Sequence, residues 1–242
     1  MQIIKLGAIG STNDYIKDLA KVRELDNFTA VTAESQTSGR GQRGSTWVSE
    51  PGKNLTMSVY YRMKDTSADN LFSLNAATAI AVLDVLKMLE IPDPSLKWPN
   101  DIMSGKKKVA GILIENNVKT ATHFESVIGI GLNVNQAGFD GLPNAGSLFT
   151  QTGQVFDKDE IAAALVKRLK SRLSMLTEDA ETIWAIYGES LFRKGVPTVF
   201  MLQSGEKFMG IIIKATRNGM LEVQLEDDSS RTFGIKELTM LF

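Results

Sequence analysis

The segment Gly39-Arg40-Gly41-Gln42-Arg43-Gly44 lies between two stretches that are predicted to be β-strands, at 29–34 and 55–61. Its glycines permit positive φ angles and bring backbone N–H groups close to a ligand, and its arginines offer paired donors to phosphate or carboxylate. The segment is therefore a candidate anion-binding loop, although it lacks the Gly-Lys-Ser/Thr ending of a P-loop. Its composition fits a solvated surface loop equally well, and a short RGG-like RNA-binding segment is a third interpretation.

Patterning outside this loop predicts an α+β unit followed by an all-β unit. In the first unit, helices are expected at about 11–25, 71–90, 157–176 and 180–191, and strands at 29–34, 55–61, 109–115 and 126–133. The helix at 71–90 is apolar on most faces, so it should be buried against a sheet. Short strands at 197–201, 207–216, 220–225 and 231–235, with an Asn218-Gly219 turn, indicate a small β-barrel. We place the domain boundary between 1–192 and 193–242.

The composition of the chain narrows its function. The 242 residues are 43% hydrophobic and 23% charged with a net charge of −1, which is typical of a globular protein without a global field that attracts nucleic acid. Cysteine is absent, which excludes disulfides and thiolate chemistry. The single histidine, His123, is expected at a turn or strand start and is a poor metal-ligand candidate. No signal peptide or membrane-spanning apolar run is apparent, so a cytoplasmic protein is expected.

Two segments after the loop carry polar groups in patterns typical of ligand sites. Lys97-Trp98-Pro99-Asn100-Asp101 should form a turn that frees Asn100 and Asp101 to face a ligand or Mg²⁺, unless it is only a capped strand end beside a core tryptophan. Lys108 follows a lysine-rich turn and enters an apolar strand. A lysine cluster of this kind is usually a solvated hairpin tip, but Lys108 adjoins the buried strand, and an ammonium group in that position could stabilise a phosphate in transfer.

Two more segments are Gly129-Ile130-Gly131-Leu132-Asn133 and Ser11-Thr12-Asn13. Glycines within a strand indicate close approach of a ligand or of another backbone, and Asn133 could bond a phosphate. Hydroxyl groups at a helix N-terminus usually cap the helix, although the same terminus also attracts a carboxylate or a polar head group. Each segment by itself is ambiguous.

Taken in order, these segments resemble the biotin–protein ligases. The resemblance covers nearly the whole chain, and its motifs are 11–13, Glu34 with Gln36, 39–44 with Trp47, 97–101, 108–115 and 129–133. It implies a mixed β-sheet catalytic domain flanked by helices, of the class II synthetase-like biotin/lipoate ligase fold, followed by a small SH3-like β-barrel. Because the sequence begins at the catalytic domain, the resemblance implies the single-function bacterial type without an N-terminal DNA-binding domain.

The resemblance also implies a two-step reaction. Biotin carboxylate attacks the α-phosphate of MgATP, which gives biotinyl-5′-AMP and pyrophosphate, and a lysine of a biotin carboxyl carrier protein then takes the biotinyl group. The expected partners are ATP, biotin, Mg²⁺ and this carrier, with no nucleic acid and no membrane. No covalent enzyme intermediate is implied, which agrees with the absence of cysteine.

Residue roles are carried over from the same motifs. Catalysis is assigned to Lys108, Arg40 and Asp101. Biotin binding is assigned to Ser11, Thr12, Asn13, Gln36, Gly39, Arg40, Lys108, Gly111 and Gly129. Nucleotide binding is assigned to Arg40, Gly41, Gln42, Arg43, Trp47, Lys97, Asn100 and Asn133. No side chain is assigned as a direct metal ligand. Some members have arginine in place of Gln42, and that arginine helps to retain the adenylate. How tightly this chain holds its adenylate is therefore an open question.

Two alternative functions stay open. A lipoate–protein ligase shares the implied fold and the adenylation chemistry, although the segments 97–101 and 39–44 favour biotin. A nucleic-acid-binding module is the alternative from another class, and the near-zero net charge disfavours it.

Overall fold

The computed structural model describes residues 3–63 and 71–242. Within these residues, seven strands form a first sheet: β1 (Ile3–Ile9), β2 (Ala30–Gln36), β3 (Leu55–Met63), β4 (Pro94–Lys97), β5 (Asp101–Ser104), β6 (Lys107–Thr120) and β7 (His123–Leu132). Their order in the sheet is β1-β2-β3-β7-β6-β5-β4. β1 and β2 run parallel and the other neighbours run antiparallel, so the sheet is mixed, as predicted.

The helices described in the structure are α1 (Thr12–Val22), α2 (Leu71–Met88), α3 (Leu148–Thr152), α4 (Lys158–Glu178) and α5 (Ala180–Glu189). α1 connects the parallel pair β1 and β2, and its buried side chains include Ile16. α2 packs against the core and against α4, where Arg172 donates to both carboxylate oxygens of Asp84 at 2.7 and 3.1 Å. The helices therefore pack against the sheet and against one another.

Helix α2 corrects the expectation that the chain has no apolar run long enough to span a membrane. Its 18 residues have a mean hydropathy of 1.5, which is apolar enough for a membrane span, and 72% of the helix is buried inside the protein. A helix whose apolar residues face the protein on nearly all sides is a core helix. The apolar run was predicted to be buried, and burial is what distinguishes it from a span of the same length.

Five strands form the second sheet in the described part of the C-terminal region. They are β8 (Pro197–Leu202), β9 (Lys207–Ala215), β10 (Leu221–Leu225), β11 (Ser230–Phe233) and β12 (Leu238–Leu241). The order β11-β10-β9-β8-β12 is antiparallel throughout, and no ladder joins β11 to β12 among residues 197–242. The predicted hairpin at Asn218-Gly219 connects β9 to β10, with Gly219 at a φ of +85°. The all-β character of the C-terminal unit is thus confirmed, while closure of this sheet into the predicted small β-barrel stays a prediction.

The sequence pattern missed four strands and one short helix: β1, β4, β5, β12 and α3. β4 and β5 have four residues each, which is too short for periodicity to separate them from a turn. α1 was expected to reach about residue 25, but the backbone of Arg23 is already extended. His123 begins β7, as expected.

Candidate active site

A cavity of about 610 Å³ lies where the first sheet meets the second. Its walls come from the start of α1, the segment after β2, the start of β3, the turn between β4 and β5, the first half of β6, the end of β7, and the C-terminal sheet. The residues from the C-terminal sheet and its loops are Gln203, Leu221, Ile235, Lys236, Leu238, Thr239 and Met240. Both units of the chain therefore contribute to one site.

Polar groups at one end of the cavity form a hydrogen-bonded set. Gln36 Oε1 accepts from Thr12 N at 2.8 Å and from Thr12 Oγ1 at 3.0 Å, and Ser58 Oγ lies within hydrogen-bond distance of Thr12 Oγ1, at 2.7 Å. Ser11 occupies the N-cap position of α1 with an extended backbone, but its side chain makes no capping bond. In the described structure the hydroxyl of Ser11 and the amide nitrogen of Gln36 have no side-chain hydrogen-bond partner, so both can serve a ligand.

Asn13 is the buried link between this polar set and β6. Its Oδ1 accepts from Ser58 Oγ at 2.5 Å, and its Nδ2 donates to Glu115 Oε2 at 2.7 Å. A Cβ at Gly129 would lie 2.6 Å from Asn13 Oδ1, so any larger residue there would displace the amide. Asn13 and Gly129 thus belong to the same wall, and the glycine is needed because of this close approach.

The predicted anion-binding loop is a small hairpin. Gly41 N donates to Ser45 O at 2.7 Å, Trp47 N donates to Gly39 O at 3.0 Å, and Arg40 pairs with Thr46. Of the loop glycines, Gly44 has a positive φ, of +83°. Gly39 is required for a different reason, since a Cβ there would clash with the Trp47 carbonyl. The hairpin presents the Arg40 side chain to the cavity.

Arg40 is held by carboxylates from α1 and β6. Its two terminal nitrogens donate to Asp14 at 2.8 and 2.6 Å, and Glu115 lies 3.5 Å away. The hydrogen bonds from Arg40 lower the pKa of Asp14 below its ordinary value of 3.8 despite partial burial, and Asp14 raises the pKa of Arg40. Burial pushes the pKa of Glu115 upward, but hydrogen bonds from Lys17 and Asn13 outweigh it and the pKa falls. These groups are therefore ionised at neutral pH.

Trp47 lies over paired glycines in the sheet. Gly111 of β6 and Gly131 of β7 are register partners, and side chains at either position would meet the indole ring. The indole also lies 5.7 Å from the Lys108 ammonium, a cation–π contact. Its Nε1 is buried and makes no hydrogen bond within the described residues. The ring therefore occupies a flat slot on the sheet surface.

Lys108 shares a carboxylate with Lys97. Asp101 Oδ1 lies 2.5 Å from Lys108 Nζ, and Asp101 Oδ2 lies 3.4 Å from Lys97 Nζ. Asn100 donates through Nδ2 to Ile112 O at 2.7 Å, which fixes the turn between β4 and β5 against β6. The predicted turn at 97–101 is present; it brings the Asp101 carboxylate and the Lys97 ammonium into the cavity wall, where they meet the Lys108 ammonium from β6.

The cavity gathers most of the residues predicted from the sequence. Those that line it are Ser11, Thr12, Asn13, Gln36, Arg40, Gly41, Gln42, Trp47, Lys97, Asn100, Asp101, Lys108, Gly111 and Gly129. Gly39 lies behind the wall and holds Trp47. Asn133 is buried outside the lining, where its Nδ2 donates to Gly146 O at 2.9 Å, so its nucleotide role stays a prediction. The side chain of Arg43 lies outside the described part of the structure.

Sequence reasoning missed several site residues, among them Ser58 and those of the C-terminal sheet. Ser58 lies in the middle of β3 and is fully buried, and its hydroxyl bonds both Thr12 and Asn13. A serine in an apolar strand was the available signal. The cavity residues of the C-terminal sheet carry no motif, and only the packing of the two units brings them to the site.

The fold and the cavity define a class of protein: an α+β unit followed by a C-terminal β-sheet, with one cavity that carries neutral polar groups at one end and the cationic side chains of Arg40, Lys97 and Lys108 in its wall. The model of the Biotin/lipoate A/B protein ligase family matches residues 7–133. The chain belongs to this family.

Individual relatives support the assignment. The biotin–[acetyl-CoA-carboxylase] ligase of Mycobacterium tuberculosis is 32% identical over 87% of this chain and 78% of its own length. The bifunctional ligase/repressor BirA of Salmonella typhimurium is 33% identical over 72% of this chain. The chain spans about half the length of that relative, 54%.

A solved structure has the same architecture. The biotin protein ligase of Aquifex aeolicus in complex with biotin and ATP has a TM-score of 0.81 and 25% identity, and the match covers 99% of this chain and 98% of the other. The likeness extends through both sheets, so the arrangement of the C-terminal sheet against the first is shared.

Proposed function

We propose that this protein is a biotin–protein ligase that forms biotinyl-5′-AMP from biotin and MgATP and transfers the biotinyl group to a lysine of a biotin carboxyl carrier protein. One observation carries the proposal: the cavity combines a polar end at Ser11, Thr12 and Gln36 with the cationic side chains of Arg40 and Lys108. A ligand with a neutral hydrogen-bonding head and a carboxylate fits this combination. The biotin ligases among the relatives support the choice.

In the first step the chain would act by positioning and by electrostatics. Ser11 Oγ and Gln36 Nε2, which have no side-chain partner in the described structure, would bond the ureido head. A carboxylate oxygen attacks the α-phosphorus, and the bond from that phosphorus to the pyrophosphate oxygen breaks. Lys108 and Arg40 would stabilise the charge that develops on the phosphoryl oxygens. The Trp47 ring, on the flat slot above Gly111 and Gly131, would contact the adenine.

In the second step a carrier lysine attacks the acyl carbon and AMP leaves. The attacking amine must lose a proton, and Asp101 is the carboxylate that lines the cavity among the described residues. Asp101 now contacts Lys97 and Lys108, so it would accept the proton only after the nucleotide draws these ammonium groups away. Its first role would be to hold Lys108 in place.

Mg²⁺ would enter with the ATP phosphates. Residues 3–63 and 71–242 contain no cluster of three carboxylate or imidazole ligands. Mg²⁺ is commonly held by one or two carboxylates together with substrate phosphates, and Asp101 and Asn100 offer such oxygens in the cavity wall. Bound there, the ion would neutralise phosphate charge.

We also infer the domain division 1–192 and 193–242, supported by the strand content on either side, and a cytoplasmic location, where ATP is available.

The first half-reaction tests the proposal. We expect the purified protein to exchange labelled pyrophosphate into ATP when biotin is present and to be inactive with lipoate. Exchange that depends on lipoate would instead favour lipoate–protein ligase activity, which the family description also includes. No exchange with either acid, together with salt-sensitive binding of nucleic acid, would contradict the proposal and support the binding-module alternative.

A further inference from the structure

The contacts of Arg40 suggest a role for a residue that does not line the cavity. Asp14 lies in the first turn of α1, and its two carboxylate oxygens take both terminal nitrogens of Arg40 at 2.8 and 2.6 Å. This end-on fork is the same arrangement that an arginine uses for a substrate carboxylate or phosphate. Because both nitrogens are engaged, Arg40 cannot present that fork to a ligand while Asp14 holds it.

The other acidic neighbour of Arg40 is engaged elsewhere. Glu115 accepts from Lys17 at 2.5 Å and from Asn13 at 2.7 Å, and its distance to Arg40 is 3.5 Å. Glu115 therefore belongs mainly to the wall that supports Asn13. Asp14 is the closer and better-aligned partner of Arg40. About two-fifths of each side chain is exposed, so water and ligands can reach the pair.

We propose that Asp14 is a positioning residue that competes with the anionic group of the substrate for the Arg40 guanidinium. In the free protein Asp14 binds the Arg40 guanidinium at the edge of α1 and thereby holds the hairpin against this helix. A substrate carboxylate or phosphate then displaces Asp14 and takes over the fork. This inference rests on the proposed function, because it takes biotin as the carboxylate ligand.

Competition predicts that loss of this carboxylate increases the affinity for biotin, whereas the loss of a residue that supports a site usually lowers it. Removing the charge of Asp14 should strengthen the binding of biotin by about twofold to fivefold, which is the worth of an exposed ion pair. Binding of biotinamide, in which a neutral carboxamide replaces the carboxylate, should not change. A residue that merely supported the fold would weaken both ligands.

The experiment measures the Kd of biotin and of biotinamide by calorimetry for the wild type, Asp14→Asn and Asp18→Asn. Asp18 is the matched control, because it is one turn further along α1, pairs with Lys21 at 2.7 Å and does not contact Arg40. We expect tighter biotin binding in Asp14→Asn alone and no change for biotinamide in any variant. Unchanged or weaker biotin binding in Asp14→Asn, or an equal gain for both ligands, would overturn the proposal.

Two more variants separate competition from a general charge effect. In an Arg40→Met background, Asp14→Asn should have no effect on biotin, since the contested group is gone. A gain that persists in that background would mean that Asp14 repels the substrate directly, against the proposal. Asp14→Glu, which retains the charge, should bind biotin like the wild type, and a gain equal to that of Asp14→Asn would overturn the proposal. Asp14→Ser, which also removes the charge, replaces Asp14→Asn if that variant does not fold. If the wild type binds neither ligand, the proposed function fails rather than the role of Asp14.

Discussion

Gly111 and Gly131 face each other across β6 and β7, and the missing side chains create the slot that Trp47 occupies. The indole contacts the Lys108 ammonium above the same slot, at 5.7 Å. The two glycines thus contribute to the site because they have no side chain, whereas Lys108 contributes through its charge. Two single substitutions separate these contributions.

The charge of Lys108 should matter for the chemical step more than for binding. In Lys108→Ala we expect the rate of adenylate formation to fall about a hundredfold, or ~3 kcal/mol, because a positioned cation on developing phosphoryl charge is removed. The Kd of biotin should change little. Single-turnover formation of biotinyl-AMP measures the effect, with Lys106→Ala, a change in the exposed part of the same turn, as the control. A normal rate in Lys108→Ala would contradict the assignment.

The slot should tolerate no side chain at Gly131. In Gly131→Ala the new methyl group would clash with the Trp47 ring and displace it. We expect weaker ATP binding and a change in tryptophan fluorescence, since the ring loses its buried setting. Gly138→Ala is the control, because a Cβ at Gly138 has no neighbour within 4 Å. ATP binding that is equal in the two variants would show that the ring position is unrelated to the nucleotide.

At the scale of elements, the hairpin at 39–47 connects the sequence motif to the cavity. Its internal bonds, Gly41 N to Ser45 O and Trp47 N to Gly39 O, give it a defined shape, and Arg40 attaches it to α1. Trp47 packs the base of the hairpin over Gly111 and Gly131, whereas Arg40 attaches its tip to α1. A ligand that takes Arg40 should therefore draw the tip over the cavity.

Ligand should protect this hairpin from proteolysis. We expect trypsin to cleave after Arg40 or Arg43 in the free protein and more slowly when biotin and ATP are present together. ATP with lipoate is the control mixture and should protect less. Equal cleavage rates with and without biotin and ATP would show that the hairpin does not close over the ligands.

The sequence is enough to predict the long helices and strands and the local motifs, but not which distant segments contact one another in the fold. Helices α2, α4 and α5 have enough residues for their patterns to be clear, and the Asn218-Gly219 turn specifies its hairpin. β1 and β12 are edge strands whose partners are distant in the chain, so no local pattern marks them. The same limit applies to the cavity: its motifs were predicted, whereas Ser58 and the residues of the C-terminal sheet depend on tertiary packing.

At the scale of the whole molecule, the C-terminal sheet packs against the first unit and supplies part of the cavity wall. Trp98, in the turn between β4 and β5, donates through Nε1 to Gly219 O at 3.1 Å in the β9–β10 turn. Arg217 of the same turn pairs with Glu181 of α5. These contacts fix the sheet that supplies one wall of the cavity.

Loss of the Trp98 bond should loosen this packing. In Trp98→Phe the ring contacts are mostly kept, but the Gly219 carbonyl loses its donor, which should cost roughly 1 to 3 kcal/mol. We expect a lower urea midpoint and a higher KM for ATP, because part of the cavity wall moves. Trp184→Phe is the control, since the Trp184 ring stacks on Phe72 and no described hydrogen bond is lost. Identical midpoints for the two variants would contradict this role of Trp98.

The central claim is that one cavity activates biotin and delivers it to a carrier lysine. The direct measurement is the mass of a biotin carboxyl carrier domain after incubation with this protein, biotin and MgATP. We predict a gain of one biotinyl group on a single lysine, dependent on ATP and absent when that lysine is replaced by arginine. An unchanged carrier mass, with the protein folded and all substrates present, would contradict the account.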